Sequence, residues 1–283
     1  MNALEAFVLE LNALSAEVIL PLFRTENGLR DKGGAGAFDP VTQADREAER
    51  VIRQAIERRF PTHGVIGEEL GEDRADAEFV WVLDPIDGTR AFIAGLPVWT
   101  TLIGLRWQGS PVLGSIGQPC LGEVFLGSPT GARLVRGSEA RPLRVRACAG
   151  LFTATVATTD TGVFAPHERA AWARLRAAAR LVRMGCDAYA YAMVAAGTVD
   201  LVVEASLKSW DIEAAVPVLT GAGGHVTDWR GSPVGRSGGQ VAIAGDPRCL
   251  AEALALLAPA ASSPPGANFE VDLSHDGRGL APT

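Results

Sequence analysis

Residues 79–95 read FVWVLDPIDGTRAFIAG, and this stretch constrains the fold more than any other. Residues 79–83 are an apolar run of aromatic and β-branched side chains, which suits a buried strand. The run stops at Asp84. Pro85 has no N–H to give to a ladder, and Asp87-Gly88 is a turn signal. Two carboxylates therefore stand at the end of a strand, a stiff two-residue spacer apart, and are expected to point toward one spot. Gly88 lets the backbone approach a ligand, and Thr89 opens a short helix whose first N–H groups suit an anion. Carboxylates for a hard cation beside a helix start for a phosphate describe a metal-dependent phosphoryl site. Every residue of the string is also a turn former, so taken alone it equally describes a solvated turn.

The 283-residue length allows two domains or one large one. With 47% hydrophobic and 21% charged residues the composition is that of a globular protein with material for a sizeable core. Lysine plus arginine number 26 against 33 acidic residues, a formal net charge of −7, which argues against a nucleic-acid partner. An acidic protein that handles phosphate needs cations to offset repulsion. Cys120, Cys148, Cys186 and Cys249 are widely spaced and form no CxxC, so free thiols in a reducing compartment are expected. Glu5 and Glu10 stand where a secretory signal would be basic, and no apolar run reaches the ~18 residues of a membrane span. The expectation is a cytoplasmic protein with no membrane partner.

Leu4, Phe7, Val8, Leu11, Val18, Ile19 and Leu22 recur at helical spacing. A glycine-rich stretch, residues 32–38 with Lys32, reads as a mobile loop of the kind that closes over sites. Thr42 with Asp45 three residues on is a variant capping box, and Ala48, Val51, Ile52, Ala55 and Ile56 give the second helix a buried face. A short strand at residues 65–66 runs into Gly67-Glu68-Glu69. β-rich segments at 100–107, 112–116, 123–126 and 134–135 predict an antiparallel meander. From residue 152 the rhythm alternates: strand 152–158, helix 167–179, helix 187–196, strand 200–204, a helix over 210–220 kinked at Pro217, strand 241–244 and helix 247–257. Domains are expected at 1–149 and 150–258, with a disordered Pro/Ser/Gly-rich tail over 259–283.

Glu69, Asp84, Asp87 and Asp211 all fall where strands end or helices begin, the places where ligands gather in α/β proteins. Brought together they repel one another unless cations lie between them, and Mg²⁺ is the natural filler. Other motifs fail on context. Residues 235–239 match GxSxG, but no buried strand feeds them. The glycines of 221–224 follow a helix instead of opening one. The four histidines are scattered without ligand spacing, and Tyr189 and Tyr191 suit either core or pocket lining.

Gly67-Glu68-Glu69, Asp84-Pro85-Ile86-Asp87-Gly88-Thr89 and Trp210-Asp211 resemble, in order, the motifs of the inositol monophosphatase superfamily, and the resemblance spans about residues 4–257. The run from Asp84 through Arg90-Ala91-Phe92-Ile93 into Gly95-Leu96-Pro97 looks most like the histidinol-phosphate phosphatase branch. So do residues 187–191 (DAYAY) and 200–208 (DLVVEASLK), whereas the Gly-Ile-His-Cys type segment of inositol-specific members is absent. The resemblance implies an α/β fold of alternating helix and sheet layers (αβαβα), as in inositol monophosphatases and fructose-1,6-bisphosphatases. It implies two to three Mg²⁺: one held by Glu69, Asp84 and the Ile86 carbonyl, one between Asp84, Asp87 and Asp211, and a weaker third near Glu69. Asp45 and Thr89 match the pair that orients and deprotonates the attacking water, though Asp45 also suits simple helix capping. The N–H groups of Gly88 and Thr89 match the phosphate cradle. Glu204 stands where the alcohol portion is contacted, with Asp187 a second candidate. Lys32 falls in the matching mobile loop, at a longer spacing from Asp39 than in many relatives.

The implied activity is hydrolysis of L-histidinol phosphate in histidine biosynthesis, by in-line attack of metal-activated water, in a homodimer with a small-molecule phosphate ester as its only other partner. The alternatives are an inositol-1-monophosphatase or another small phosphomonoesterase, and a catalytically silent metal-binding relative.

Overall fold

The computed structural model describes residues 3–25, 30–31 and 40–262, and Lys32 lies outside them. The chain opens with helix α1 (Ala3–Ile19), a 3-10 turn over Leu20–Leu22, and a two-residue ladder of β1 (Arg30–Asp31) with β2 (Pro40–Val41). Helix α2 (Gln43–Arg59) follows, begun as expected at Thr42, whose N–H donates to Asp45 Oδ2 at 2.8 Å.

Eight strands then make the first sheet: β3 (Gly64–Gly67), β4 (Gly71–Asp73), β5 (Phe79–Asp87), β6 (Thr100–Trp107), β7 (Ser110–Gln118), β8 (Glu123–Ser128), β9 (Gly131–Arg136) and β10 (Glu139–Pro142). Their order is β10-β9-β8-β7-β6-β5-β3-β4, so the expected meander is present, and only β3 and β5 pair in parallel. Helix α3 (Thr89–Ile93) links β5 to β6.

The second sheet has β11 (Thr155–Thr158), β12 (Leu181–Met184), β13 (Leu201–Leu207), β14 (His225–Thr227) and β15 (Gly239–Ala244), in the order β12-β11-β13-β15-β14. Between its strands run α4 (Pro166–Ala178), α5 (Asp187–Ala195), α6 (Ser209–Ile212) and α7 (Ala215–Gly221), and α8 (Pro247–Leu257) follows the last strand.

Alternation along the strands stacks these elements into five layers. Trp81, Leu83, Ile103 and Leu105 face Phe7, Leu11, Ile52 and Ile56 of α1 and α2. From the opposite face of the same sheet, Leu102, Ile116, Phe125 and Leu134 meet α5 and α7, which also cover Val202 and Ile243 of the second sheet. Leu201, Val203 and Ala205, the alternate residues of β13, bury against Trp172 and Leu175 of α4 and Leu250 and Leu257 of α8. The order is helix, sheet, helix, sheet, helix, as expected.

Four expectations change. The strand expected to stop at Asp84 runs on to Asp87. The helix expected over 210–220 is two helices, and the break lies at Glu213–Ala214 instead of a kink at Pro217. The reason is that Pro217 offers no N–H to the carbonyl four residues back, so continuity fails there while Pro217 itself sits in the tolerant first turn of α7. The strand expected from residue 152 begins at Thr155, after a 3-10 turn over Leu151–Thr153. At the other end, Ala258–Ala260 form a 3-10 turn with Ala260 buried, where tail was expected from residue 259; residues 263–283 lie outside the described ones. The four cysteines are free thiols. Among the described residues no helix is long and apolar enough to cross a membrane.

Candidate active site

In a regular strand, residues three apart point to opposite faces. Asp84 and Asp87 escape this through a bulge. Asp84 pairs with Leu102 and Asp87 with Thr100, so three steps on β5 oppose two on β6. Pro85 sits inside the irregularity, where its missing N–H is not needed, and Thr101 Oγ1 donates to its carbonyl at 2.8 Å. The extra residue turns both carboxylates to one side. Asp211, in the first turn of α6 and held by the Lys208 N–H at 2.6 Å, completes the group. One oxygen from each of Asp84, Asp87 and Asp211 lies within 4.8 Å of the other two.

Asp87 Oδ2 accepts from the Ala188 N–H at 2.7 Å and from Thr100 Oγ1 at 3.3 Å, which ties the start of α5 to the end of β5. The Thr89 hydroxyl donates to the Ile86 carbonyl at 3.1 Å. Gly88 caps α3 with φ +83°, and a Cβ there would lie 2.7 Å from Asp187 Cγ, so only glycine fits. Asp187 in turn has φ +46°, an uncommon conformation for a residue with a side chain, and it lines the same cavity.

That cavity, about 260 Å³, is lined by Glu68, Asp84, Ile86, Asp87, Gly88, Thr89, Asp187, Tyr191, Glu204 and Asp211, with Thr159, Asp160 and Arg90 at its rim. Arg90 and Asp160 pair with each other at 3.0 Å. Glu204 is buried and well held. Its Oε1 accepts from the Thr159 N–H at 2.8 Å and the Thr159 hydroxyl at 2.9 Å, and its Oε2 accepts from Thr158 Oγ1 at 3.3 Å. A larger hollow of about 630 Å³ lies between β9, β10 and the end of α7, but no carboxylate lines it.

Burial dominates the electrostatics. It lifts the Asp84 and Asp87 carboxyls well above the ordinary range, and neighbouring carboxylates add to the rise: Glu68, Asp87, Asp211 and Asp45 for Asp84, and Asp187 and Asp211 for Asp87. Burial likewise pushes Asp45, Asp187 and Asp211 up to about 6 and Glu204 up to about 8. A cluster of this kind is fully ionised only with cations among its oxygens. The donors are all carboxylate oxygens, which select a hard ion such as Mg²⁺, Mn²⁺ or Ca²⁺ over zinc. The residues present thus suit the implied metal.

Most of the expected residues converge here: Asp84, Ile86, Asp87, Gly88, Thr89, Asp187, Glu204 and Asp211. Glu68 lines the cavity; Glu69 is not in the lining, but its charge acts on Asp45 and helps to raise that carboxyl. β3 and β5 run in parallel with Gly67 beside Leu83, and the Glu68 N–H still bonds the Leu83 carbonyl at 3.2 Å. The Glu68 charge reaches Asp84, and the Glu69 N–H donates to Glu49 Oε2 of α2 at 2.8 Å. Asp45 also stays out of the lining. It is 2% exposed and bonded to Thr42, yet close enough for its charge to act on Asp84. Tyr191 is both core and lining, while Tyr189 donates to Glu123 Oε2 at 3.1 Å. Thr158 and Thr159 carried no local signal, because their partner lies 45 or 46 residues away.

The profile of the inositol monophosphatase family matches residues 2–263. The chain is 42% identical over 235 residues to the bifunctional phosphatase IMPL2, chloroplastic, of Arabidopsis thaliana, covering 81% of this chain and 66% of that one, so it spans about two thirds of that longer protein. It is 38% identical over 193 residues to a histidinol-phosphatase of Chlorobaculum parvum, covering 68% and 73% of the two chains. Among solved structures, an inositol monophosphatase from Zymomonas mobilis superposes with a TM-score of 0.80 at 37% identity, over 91% of this chain and all of that one. The layered fold, the acidic cleft at the end of β5 and these likenesses agree, and the chain belongs to the inositol monophosphatase family.

Proposed function

We propose that this phosphatase hydrolyses a phosphomonoester whose alcohol part carries positive charge, with L-histidinol phosphate as the substrate. The observation that carries the reading is the pairing, in one cavity, of the Asp84–Asp87–Asp211 group with two further carboxylates, Glu204 and Asp187. A neutral polyol can donate its hydroxyls to such carboxylates, but an ammonium or imidazolium also gains from their charge. A histidinol-phosphatase among the similar proteins supports it. The second reading, inositol 1-phosphate, is favoured by the likeness to the Zymomonas mobilis structure.

Glu69, Asp84, Asp87, Asp211 and the Ile86 carbonyl are proposed to hold two to three Mg²⁺, with Glu68 on the cavity wall. Bound there, the cations offset the phosphate charge and make water acidic enough to attack phosphorus near neutral pH. The protein's own groups do the positioning. The first N–H groups of α3, at Gly88 and Thr89, have no partner within the helix and receive phosphate oxygens. Thr89 orients the attacking water through its hydroxyl, and Asp45 receives the proton. Glu204, fixed by Thr158 and Thr159, accepts from the substrate ammonium, with Asp187 beside it. No side chain needs to act as nucleophile. The same reading makes the protein a cytoplasmic homodimer in histidine biosynthesis.

The test is phosphate release from L-histidinol phosphate, inositol 1-phosphate, fructose 1,6-bisphosphate and a nucleoside 3′,5′-bisphosphate with Mg²⁺. The expected result is the highest kcat/KM on histidinol phosphate. A higher value on inositol 1-phosphate would transfer the assignment to the second reading.

A further inference from the structure

Asp84 and Asp87 share one strand, so the β5 bulge sets their separation. Asp211 comes from another layer, and its position depends on how the turn after α6 is seated. Two features seat it. The first is steric. Gly104 and Gly114 are cross-strand neighbours on β6 and β7, and the backbone of Ala214 lies on them: a Cβ at Gly114 would stand 2.1 Å from the Ala214 carbonyl oxygen, and one at Gly104 3.3 Å from the Ala214 nitrogen. The second is ionic. Glu213, two residues after Asp211, is 3% exposed and turns inward at the α6–α7 break to meet Arg106 of β6, itself 6% exposed. Arg106 Nε donates to Glu213 Oε2 and Arg106 Nη2 to Oε1, a two-pronged pair between residues 107 apart in sequence.

Arg106 pairs with Val80 of β5 across the ladder, and Leu102 of the same strand pairs with Asp84. The ion pair therefore fastens the Asp211 turn to the two-strand unit that carries the other two carboxylates. An apolar contact at this place would hold the turn against the sheet without fixing its slide or rotation, because hydrophobic attraction is non-directional. A fork-to-carboxylate pair fixes both.

Resting on the reading that these carboxylates hold a divalent cation, we infer that Arg106 and Glu213 are positioning residues for Asp211, setting cation affinity without touching cation or substrate. Partners of this kind change metal affinity by about 10-fold to 100-fold when lost. Single substitutions strand a buried charge and threaten the fold. The informative variant is therefore Arg106→Met with Glu213→Leu, which keeps volume and removes both charges together. Calorimetric titration of Mg²⁺ and Mn²⁺ into purified, substrate-free protein is the readout, with melting temperature and circular dichroism as controls. The double variant is expected to fold, to bind the cations about 10-fold to 100-fold more weakly, and to regain most of its kcat when cation is saturating. Parent-like affinity in the folded double variant would overturn the inference. Should that variant fail to fold, Arg106→Lys keeps the charge and loses the fork; weaker binding supports the inference, and unchanged binding overturns it. Absence of cation binding in the parent protein would instead overturn the metal reading itself.

Discussion

Stripping divalent cations with a chelator and then raising the pH tests whether burial, in the absence of cations, keeps the site carboxyls protonated. Glu204 is displaced far, from an ordinary 4.5 to about 8, and the cause is burial. Between those values the folded protein keeps a proton that the unfolded chain has released, so stability falls as pH rises. The contribution is complete below the ordinary glutamate range and lost as pH passes about 8. At about 1.4 kcal/mol per pH unit, that displacement is worth roughly 5 kcal/mol. This is a large share of the roughly 5–15 kcal/mol that holds a typical native protein. At roughly 2–4 °C per kcal/mol it corresponds to a drop of about 10–20 °C in melting temperature. Asp45, Asp187 and Asp211 push in the same direction as pH rises through about 6. The assay is a calorimetric melt in chelator at half-unit steps from about pH 5 to 8.5, a range that brackets these transitions, on the parent and on Glu204→Gln. The substituted glutamine can present its amide oxygen to both Thr159 donors and its NH₂ to Thr158 Oγ1, so the fold is kept. The parent is expected to lose melting temperature across the range, the variant to lose less, and excess Mg²⁺ at about pH 8 to restore the parent. A flat or rising parent curve, or parallel curves for the two proteins, would refute the reasoning.

Asp84→Asn is expected to abolish cation binding in calorimetry and to lower kcat by several orders of magnitude while the circular dichroism stays that of the parent; near-normal turnover would remove Asp84 from the cation site. Thr89→Ala should lower kcat far more than it raises KM, because its hydroxyl acts on the attacking water and not on bound substrate; a change in KM alone would confine Thr89 to the phosphate cradle. Glu69→Gln should weaken Mg²⁺ binding and lower turnover, and Glu68→Gln should do so less; the reverse order would make Glu68 the ligand. Glu204→Gln should cost roughly 10–150-fold in kcat/KM on histidinol phosphate, the worth of a charge-assisted hydrogen bond of about 1.5–3 kcal/mol, and much less on an uncharged ester. Equal losses on both esters would place Glu204 in structural support.

What the sequence made legible was local. The apolar run before Asp84, the Thr42–Asp45 cap and the meander spacing each follow from neighbours a few residues apart, and each appears in the fold. The ambiguity of Glu68 and Glu69 was different in kind. Both follow the same strand, and only its tertiary neighbours decide where each goes: Glu68 reaches the cavity wall and Glu69 acts on Asp45. The bulge at Pro85 was hidden for a similar reason, since a strand's irregularity is defined by its partner β6. β12 and β14, four and three residues long, lie at the two edges of the second sheet, and strands this short carry too little pattern to separate from loop. The Arg106–Glu213 pair, joined across 107 positions, left no trace in any window of sequence.

The two-faced first sheet bears on how the protein is made. Once residues up to Pro142 have left the ribosome, the meander and both of its flanking helices are available to fold. One face is then clothed by α1 and α2, but Leu102, Ile116, Phe125 and Leu134 on the other stay bare until α5 and α7 are synthesised. For that interval the nascent chain carries a broad apolar surface of the kind that chaperones hold and that aggregates recruit. A pause in translation before residue 187 is expected to lengthen that exposure and lower the yield of folded protein.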